Sequence, residues 1–174
     1  MILTYKGIKP KLAQDVFIAQ NAVVTGDVEI GAQSGVWYGC VIRGDVNTIR
    51  IGEQTNIQDG TVVHVTREKF PTVIGSRVTI GHGCILHGCI IEDDSFIGMG
   101  ATVMDGAVVE SGAMVAAGAL VTPGKRVKKG ELWGGSPAKF IRNLTEQDVA
   151  FFPVSAKNYA DLAREYMTES EIVG

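Results

Sequence analysis

The chain contains three histidines that fall close together, His64, His82 and His87. Neutral imidazole is a common zinc ligand, and three imidazoles that leave a fourth position open are typical of a catalytic rather than a structural zinc site. A zinc ion held in this way lowers the pKa of bound water towards about 7 and makes hydroxide available as a nucleophile. The three histidines are therefore candidate ligands of one catalytic Zn²⁺, although imidazole also binds Fe²⁺ and Co²⁺.

Composition argues against several other classes of function. Charged residues make up 20% of the 174 residues, with a net charge of −3 and no basic tract, which disfavours a nucleic-acid partner. The most apolar run, 113–121, is too short to span a membrane, and the N-terminus lacks the charged and apolar regions of a signal peptide. Three cysteines, an odd number, fit a reducing compartment. We therefore expect a cytoplasmic protein that acts on a small-molecule substrate.

The elements that would position the histidines follow a six-residue repeat. Ile, Val or Leu recurs at every sixth position, glycine often follows it, and the fourth residue after it is small or β-branched. This period fits neither an amphipathic helix nor a hairpin sheet, and it predicts a parallel β-helix in which three units form one triangular coil. The leading residues, which should point into the prism, are Ile18, Val24, Ile30, Val36, Ile42, Ile51, Ile57, Val63, Ile74, Ile80, Leu86, Ile91, Ile97, Val103, Val109, Val115, Val121 and Val127.

These units predict about six coils over residues 1–127, followed by a turn-rich exit and a helical appendage over 128–174, all in one domain. Insertions at 47–49 and 65–72 interrupt the repeat at corners of the prism. Thr145 and the acidic residues behind it predict a helix start, and a second helix is expected near Ser155, after Pro153. The packing face of that second helix would carry Tyr159, Leu162, Ala163 and Tyr166.

Counting faces through the repeat places the histidines relative to one another. Arg43, His64 and His87 each follow the leading residue of the same face in consecutive coils, so they should stack in one outward column. Adjacent coils lie about 4.8 Å apart. Two ligands of a tetrahedral zinc ion are about 3.3 Å apart, which bending of the side chains covers. The column is therefore well placed to chelate a metal ion.

His82 lies on the neighbouring face, with Asp59 on the coil below and Met99 on the coil above. Outward directions on adjacent faces of a triangle diverge, so His82 should not reach His64 and His87 of the same chain. A second copy could present its own His82 there, and repetition of that contact around a threefold axis closes a ring. We therefore predict a homotrimer with metal sites at its subunit interfaces.

Cysteine is the other soft ligand that the chain offers near the histidines. Cys40 and Cys84 occupy the small inward position of the repeat, so core packing is the better interpretation for them than metal binding. The pattern leaves the placement of Cys89 open.

Several motifs resemble the gamma-class carbonic anhydrases and their bacterial homologues, and the similarity covers nearly the whole chain. The combination is specific, whereas the bare hexapeptide repeat is not. The resemblance implies a left-handed β-helix, a hand that the repeat alone does not determine, and three histidine ligands shared between the subunits of a trimer. The similar segments are 41–45 (VIRGD), 55–59 (TNIQD), His64, 80–82 (IGH) and 86–89 (LHGC).

The resemblance also implies roles for other side chains. Gln58 resembles a residue that orients the metal-bound water, and Arg43 and Asp59 resemble an ion pair at the subunit interface, with Asp45 alongside. The implied reaction is reversible hydration of carbon dioxide to bicarbonate, in which metal-bound hydroxide attacks the carbon. The remaining counterparts are a polar site residue and a tyrosine that the C-terminal helix brings near the metal, Asn56 and Tyr159.

Two departures from the family pattern bear on the rate. Founding members carry a glutamate directly after the Arg-Gly-Asp triplet, where this chain has Val46. They also carry a long acidic loop whose glutamate moves protons to solvent, whereas loop 65–72 is short and its only carboxylate is Glu68. Hydration requires a proton to leave in every cycle. The chain thus resembles a shorter-loop bacterial branch, and we expect weak hydration activity.

Three functions remain open at this point, because fold alone does not determine function. The first is the metalloenzyme, either a carbonic anhydrase or a thioester hydrolase that uses the same metal hydroxide. The second is a hexapeptide acyltransferase that uses acetyl-CoA, supported by the shared prism and the exit segment 133–139, WGGSPAK. That family generally needs one histidine base rather than a metal-binding trio. The third is a non-catalytic trimeric scaffold in which the metal locks the interfaces.

Overall fold

The computed structural model describes residues 1–170 as a parallel β-solenoid of about seven turns followed by one helix. In chain order the elements are β1 (Ile2–Leu3), β2 (Lys11–Leu12), β3 (Phe17–Ile18), β4 (Val23–Ile30), β5 (Gly35–Val36), β6 (Val41–Ile51), β7 (Asn56–Ile57), β8 (Val62–His64), β9 (Thr72–Ile74), β10 (Thr79–Ile80), β11 (Ile85–His87), β12 (Ile90–Ile91), β13 (Phe96–Ile97), β14 (Thr102–Val103), β15 (Val108–Val109), β16 (Met114–Val115), β17 (Leu120–Val121), β18 (Arg126–Val127), β19 (Glu131–Gly134), β20 (Lys139–Asn143) and α1 (Glu146–Glu169).

The pairing of the strands gives the prism three faces. The first face consists of β1, the start of β4 and of β6, β8, β11, β14 and β17, and the second consists of β2, the ends of β4 and β6, β9, β12, β15 and β18. The third face consists of β3, β5, β7, β10, β13, β16 and β19, with β20 added antiparallel at its edge. This architecture fits a left-handed β-helix with a C-terminal helix, of which the repeat predicts the β-helix and the family resemblance the hand.

The predicted number of coils is too low by about one. The repeat count starts at Ile18 and ends at Val127, but strands β1 and β2 already pair with β4 before the first counted unit. At the other end, β19 pairs with β16 after the last counted unit. Leu12 of β2 lies six residues before Ile18, and Trp133 of β19 lies six residues after Val127, so the six-residue spacing extends one unit beyond the count at each end, and only β1 is out of step with it. The division of the chain at residue 127 stays a prediction, and residues 171–174 of the predicted appendage lie outside the described residues.

Ladders of identical register build the core. Ile42, Val63 and Leu86 pair in one row of the first face, and all three side chains are fully buried. The small fourth residues, including Cys40 and Cys84, are buried at the corners as predicted. Ile18, by contrast, is only partly buried because it lies near the open N-terminal end of the prism. Stacking of like residues at each level is what excludes water from such a narrow core.

The two insertions leave the prism next to the histidines. Between β4 and β6, the step from Gly26 to Val28 is matched by the longer step from Gly44 to Ile49, which accommodates the predicted insertion. Loop 65–72 is closed by an antiparallel bridge between Thr66 and Phe70. Both insertions therefore lie at the corner between the first and second faces, where β8 and β11 end.

The C-terminal segment forms one helix, so the prediction of two helices is wrong. Thr145 caps α1 in a reciprocal capping box with Asp148, as its sequence predicts. Pro153 lies inside α1, where it removes one backbone donor. The helix continues through it because buried residues on both sides, Phe152 and Ala156 among them, hold α1 against the prism.

The face of α1 that contacts the prism is also slightly different from the predicted one. Ala163 is buried and Tyr159 and Tyr166 pack against the core, but Leu162 is 37% exposed. The aromatic rings explain the rotation, since Trp37 of the third face packs edge-on against both Tyr159 and Tyr166. Within residues 1–170, no helix is long and apolar enough to cross a membrane.

Candidate metal centre

His64 and His87 end the neighbouring strands β8 and β11 and are paired residues in the ladder. The Nδ1 atom of His64 lies 3.1 Å from the Nε2 atom of His87. Two nitrogen ligands of a tetrahedral zinc ion are separated by about 3.3 Å. The stacked column that the repeat predicts is thus present, and its two nitrogens already have the spacing of a chelating pair.

A carboxylate contacts the other nitrogen of each ring. Asp45 lies 2.9 Å from Nε2 of His64, and Asp105 lies 2.6 Å from Nδ1 of His87. Arg43 bonds to Asp45, and Thr66 donates to Asp105 at 2.8 Å. Partial burial acts to raise the pKa of each carboxyl, but the hydrogen bonds from the histidine and from Arg43 or Thr66 hold both pKa values below the usual range. Both aspartates are therefore ionised at neutral pH.

These contacts determine which ring nitrogens are free. An ionised carboxylate only accepts hydrogen bonds, so each neutral ring places its proton on the nitrogen that faces its aspartate. This leaves Nδ1 of His64 and Nε2 of His87 as two lone pairs that face each other. Carboxylate–imidazole pairs of this kind orient ligands in metal sites. The donor chemistry therefore fits a bound cation between the two rings.

His82 lies in the corner between β10 and β11, away from this pair. Its Nδ1 atom lies 2.7 Å from Asp59, on the coil below as the register predicts, and its side chain is 45% exposed. Within residues 1–170, no three His, Cys, Asp or Glu side chains are grouped so that they could hold a metal ion. One chain thus carries two separate parts of a site: a two-histidine part, His64 and His87, and a one-histidine part, His82.

The one-histidine part opens onto a cavity of ≈ 380 Å³ that also contacts Gln58 and Tyr159. Gln58 is buried, and its Nε2 atom donates to Oδ1 of Asn56 at 3.0 Å. Burial and the nearby charge of Asp59 raise the pKa of the Tyr159 hydroxyl, which is therefore protonated at neutral pH. The structure brings Gln58, Asn56 and Tyr159 together with His82 rather than with His64.

Arg43 and Asp59, which the resemblance implies as an ion pair between subunits, each have another partner within one chain. Arg43 bonds to Asp45, and Asp59 bonds to His82. A pair between Arg43 and Asp59 of different subunits stays a prediction.

Sequence reasoning missed four residues that contact the site. Asp105 could have been found by register, because Leu86 pairs with Val103 and so places a carboxylate beside the coil of His87. Thr66 and Thr79 carry no distinguishing signal, since one lies in loop 65–72 and the other in strand β10, where threonine is common. Ser155 reaches Thr79 only through the docking of α1, over 76 residues of sequence. No repeat pattern encodes that docking.

All three cysteines are free and buried. Burial raises the pKa of the Cys40 and Cys84 thiols to about 11 and that of Cys89 to about 12. The core interpretation of Cys40 and Cys84 is confirmed, and Cys89, which the sequence left open, is fully buried as well. None of them has the accessible thiolate that a metal ligand needs.

Comparison with known proteins shows the family to which the chain belongs. Residues 71–103 and 88–123 match the family described as bacterial transferase hexapeptide (six repeats). The chain is 53% identical over 166 residues to gamma carbonic anhydrase 2, mitochondrial, of Arabidopsis thaliana, which covers 92% of this chain and 60% of that protein. It is 52% identical to a probable carbonic anhydrase of Methanocaldococcus jannaschii, with 87% of this chain and 95% of that protein covered.

Among solved structures, a hexapeptide transferase family protein from Anaplasma phagocytophilum is 53% identical, with a TM-score of 0.91 and coverage of 95% and 97%. The chain spans only about 60% of the length of the plant relative, but it spans nearly all of the archaeal protein. At these identities and coverages, the chain belongs to the gamma-class carbonic anhydrases, within the hexapeptide-repeat proteins.

Proposed function

We propose that this protein is a gamma-class carbonic anhydrase that hydrates carbon dioxide reversibly to bicarbonate, at a metal ion held by His64 and His87 of one subunit and His82 of the next. Membership of the family implies a metal cofactor. The position of the metal is supported by the two ring nitrogens of His64 and His87 that face each other 3.1 Å apart. The other nitrogen of each ring is hydrogen-bonded to a carboxylate, Asp45 or Asp105. When bound, such a metal supplies a water of lowered pKa for attack on carbon.

The two parts of the site lie at opposite edges of the first face. His64 and His87 end strands of that face, whereas His82 lies in the corner that precedes β11. A neighbouring chain related by a threefold axis would bring its His82 to the column and cover the first face. Val62 and Ile85, paired across that face, are 40% and 49% exposed in one chain. Their apolar surface supports a trimeric interface there.

The other site residues have roles that follow from their positions. In the trimer, His82 would bring three residues of its own subunit to the metal. Gln58 and Tyr159 line the same cavity as His82, and Asn56 is hydrogen-bonded to Gln58. The amide nitrogen of Gln58 is committed to Asn56, so its Oε1 atom is the one available to accept a hydrogen bond from the attacking water. Tyr159, protonated at neutral pH, is a donor in the same cavity.

Zinc is the metal that we propose, with Fe²⁺ and Co²⁺ as alternatives. Three imidazole nitrogens with an open position are typical of catalytic zinc, and the same ligands also bind iron and cobalt. We expect slow turnover, because the residue after Arg43, Gly44 and Asp45 is Val46 and loop 65–72 offers only Glu68 as a carboxylate. A slow proton exit limits hydration even where attack on carbon is fast.

The test is stopped-flow hydration of carbon dioxide by zinc-loaded and iron-loaded protein, beside the metal-free protein and a His87→Ala variant. We expect hydration above the buffer rate only in the loaded protein, and its loss in His87→Ala. Equal rates in all four samples, together with a bound metal, would contradict the proposal. Such a result would leave a metal-locked scaffold or a thioester hydrolase.

A hexapeptide acyltransferase is the second candidate, favoured by the matched transferase repeat. Such an enzyme needs one histidine base and an acetyl-CoA site, so its activity should survive removal of metal. Metal-free protein that acetylates an acceptor from acetyl-CoA would establish this candidate.

The three buried free cysteines fit a reducing compartment, and we keep the cytoplasm as the proposed location.

A further inference from the structure

A chain of four buried polar side chains runs from the cavity beside His82 into the helix α1. Gln58 donates from Nε2 to Oδ1 of Asn56 at 3.0 Å, and Asn56 donates from Nδ2 to Oγ1 of Thr79 at 3.1 Å. The Thr79 hydroxyl lies 2.9 Å from the hydroxyl of Ser155. All four residues are at least nine-tenths buried: the exposed fraction is 5% for Gln58, 2% for Asn56 and Thr79, and 6% for Ser155.

The direction of this chain is fixed at its centre. An amide has distinct donor and acceptor ends, so an Asn56 that gives Nδ2 to Thr79 must present Oδ1 to Gln58. Gln58 must then present Nε2 to Asn56, which leaves Oε1 for the cavity. If both amides turned over, Oδ1 of Asn56 would face the carbonyl oxygen of Val78, and two buried acceptors would meet without a donor between them. Such losses are costly in a dry interior.

Thr79 gives Nδ2 of Asn56 its shorter acceptor, but its hydroxyl could also donate, so the carbonyl of Val78, which only accepts, decides that Nδ2 rather than Oδ1 faces this side. The only other acceptor near Nδ2 of Asn56, among residues 1–170, is the carbonyl of Val78 at 3.4 Å, which is a long contact. Ser155 holds the Thr79 hydroxyl from the opposite side and comes from α1. One turn further along α1, Tyr159 reaches the same cavity.

We propose that Thr79 and Ser155 are positioning residues that fix the amide of Gln58, so that its Oε1 atom faces the substrate cavity. This inference deepens the proposed function and rests on it. It makes α1 a part of the site in a second way, because the helix supplies the hydroxyl at the far end of the chain as well as Tyr159. Thr79 does not line the cavity, and Ser155, which does, is bonded through its hydroxyl to Thr79, so both are assigned an action through Asn56 and Gln58.

The first test needs no metal and no activity. In the metal-free protein, the side-chain amide protons of Asn56 and Gln58 should show two resolved NMR signals each, with slow exchange against solvent. Thr79→Val, which keeps the shape and removes the hydroxyl, should collapse this protection for both amides. Thr79→Ser should retain it, and a Gln58→Glu sample assigns the signals. Unchanged protection in Thr79→Val would overturn the proposal even if the protein hydrates no carbon dioxide.

The second test separates positioning from folding. In the loaded enzyme, Thr79→Val and Ser155→Ala should lower kcat by about 10- to 100-fold, the usual effect of removing an outer hydrogen-bond partner. The KM and the bound metal should stay unchanged, and Thr79→Ser and Ser155→Thr should restore most of kcat. A uniform loss in all four variants, or a loss confined to KM, would show that the hydroxyls serve packing alone. Wild-type protein with protected amides but no hydration would contradict the proposed function instead.

Discussion

The Nδ1 atom of His64 lies 3.1 Å from the Nε2 atom of His87, across two coils of the solenoid, and each ring turns its other nitrogen to an aspartate. Two lone pairs at this distance repel unless a cation lies between them. The ladder register brings the rings together, and Asp45 and Asp105 set their tautomers. The pair is thus prepared for a metal ion, whereas the remaining histidine, His82, lies in another corner of the prism.

The division of the ligands predicts that two defective variants complement each other. His87→Ala removes the two-histidine part of a site, and His82→Ala removes the other part. In any mixed trimer of the two, only one of the three interfaces joins an intact His64 and His87 to an intact His82. Co-expression with two different tags and tandem purification should therefore yield about one metal ion per mixed trimer, against three in the wild type.

The matched control combines His64→Ala with His87→Ala, which damage the same part of the site. Mixed trimers of that pair contain no intact site at any interface, so their metal content should stay near zero. Metal content in both kinds of mixture that equals that of the unmixed variants would show that each chain builds its site alone.

A second prediction concerns which face of the prism is covered. Ile85 on the first face and Ile90 on the second are similarly exposed in one chain, at 49% and 40%. A buried, unpaired charge is costly, so Ile85→Glu should dissociate the trimer and release the metal, whereas Ile90→Glu should leave both intact. Light scattering after size exclusion measures the mass, and circular dichroism checks that each variant remains folded. Dissociation of Ile90→Glu alone would place the interface on the second face.

How much of this site the sequence could predict depends on the kind of contact. The stacking of His64 on His87, and of Asp59 below His82, follows from the six-residue period, since register in a β-helix is local and periodic. The hydrogen bond between Ser155 and Thr79 does not follow, because it depends on how α1 docks over a long stretch of sequence. Pro153 misled the helix prediction for the same reason, as packing on both sides of it outweighs the lost donor.

Asp105 gives a third prediction, on metal affinity. It accepts from Nδ1 of His87 at 2.6 Å and so orients the ring. Asp105→Ala should weaken zinc binding by about 10- to 100-fold, as loss of an outer-shell carboxylate generally does. The control is Asp94→Ala, which removes an aspartate bonded to Arg77 at the corner between the second and third faces, away from every histidine. Competition with a chromophoric chelator measures both affinities, and equal weakening would rule out a specific role for Asp105.

The thiols give a fourth prediction, on pH. Burial raises the folded pKa of Cys40 and Cys84 to about 11 and that of Cys89 to about 12, whereas an unfolded thiol titrates near about 8.5. Below about pH 8.5 the thiols are protonated in both the folded and the unfolded state, so they do not make the stability depend on pH. Above it, only the unfolded state releases them, and the free energy of unfolding should fall by about 1.4 kcal/mol per pH unit for each thiol, up to the folded pKa.

Urea denaturation at fixed protein concentration, between pH 7 and pH 10.5, measures this slope. Cys40→Ala is the comparison. It removes one of the three titrating thiols, so the slope of the unfolding free energy against pH should become shallower by about 1.4 kcal/mol per pH unit. A thiol reagent gives an independent reading: the native protein should react negligibly at pH 8, and all three cysteines should react in denaturant. A thiol that reacts in the folded protein, or a slope that Cys40→Ala leaves unchanged, would mean that burial does not hold these groups neutral.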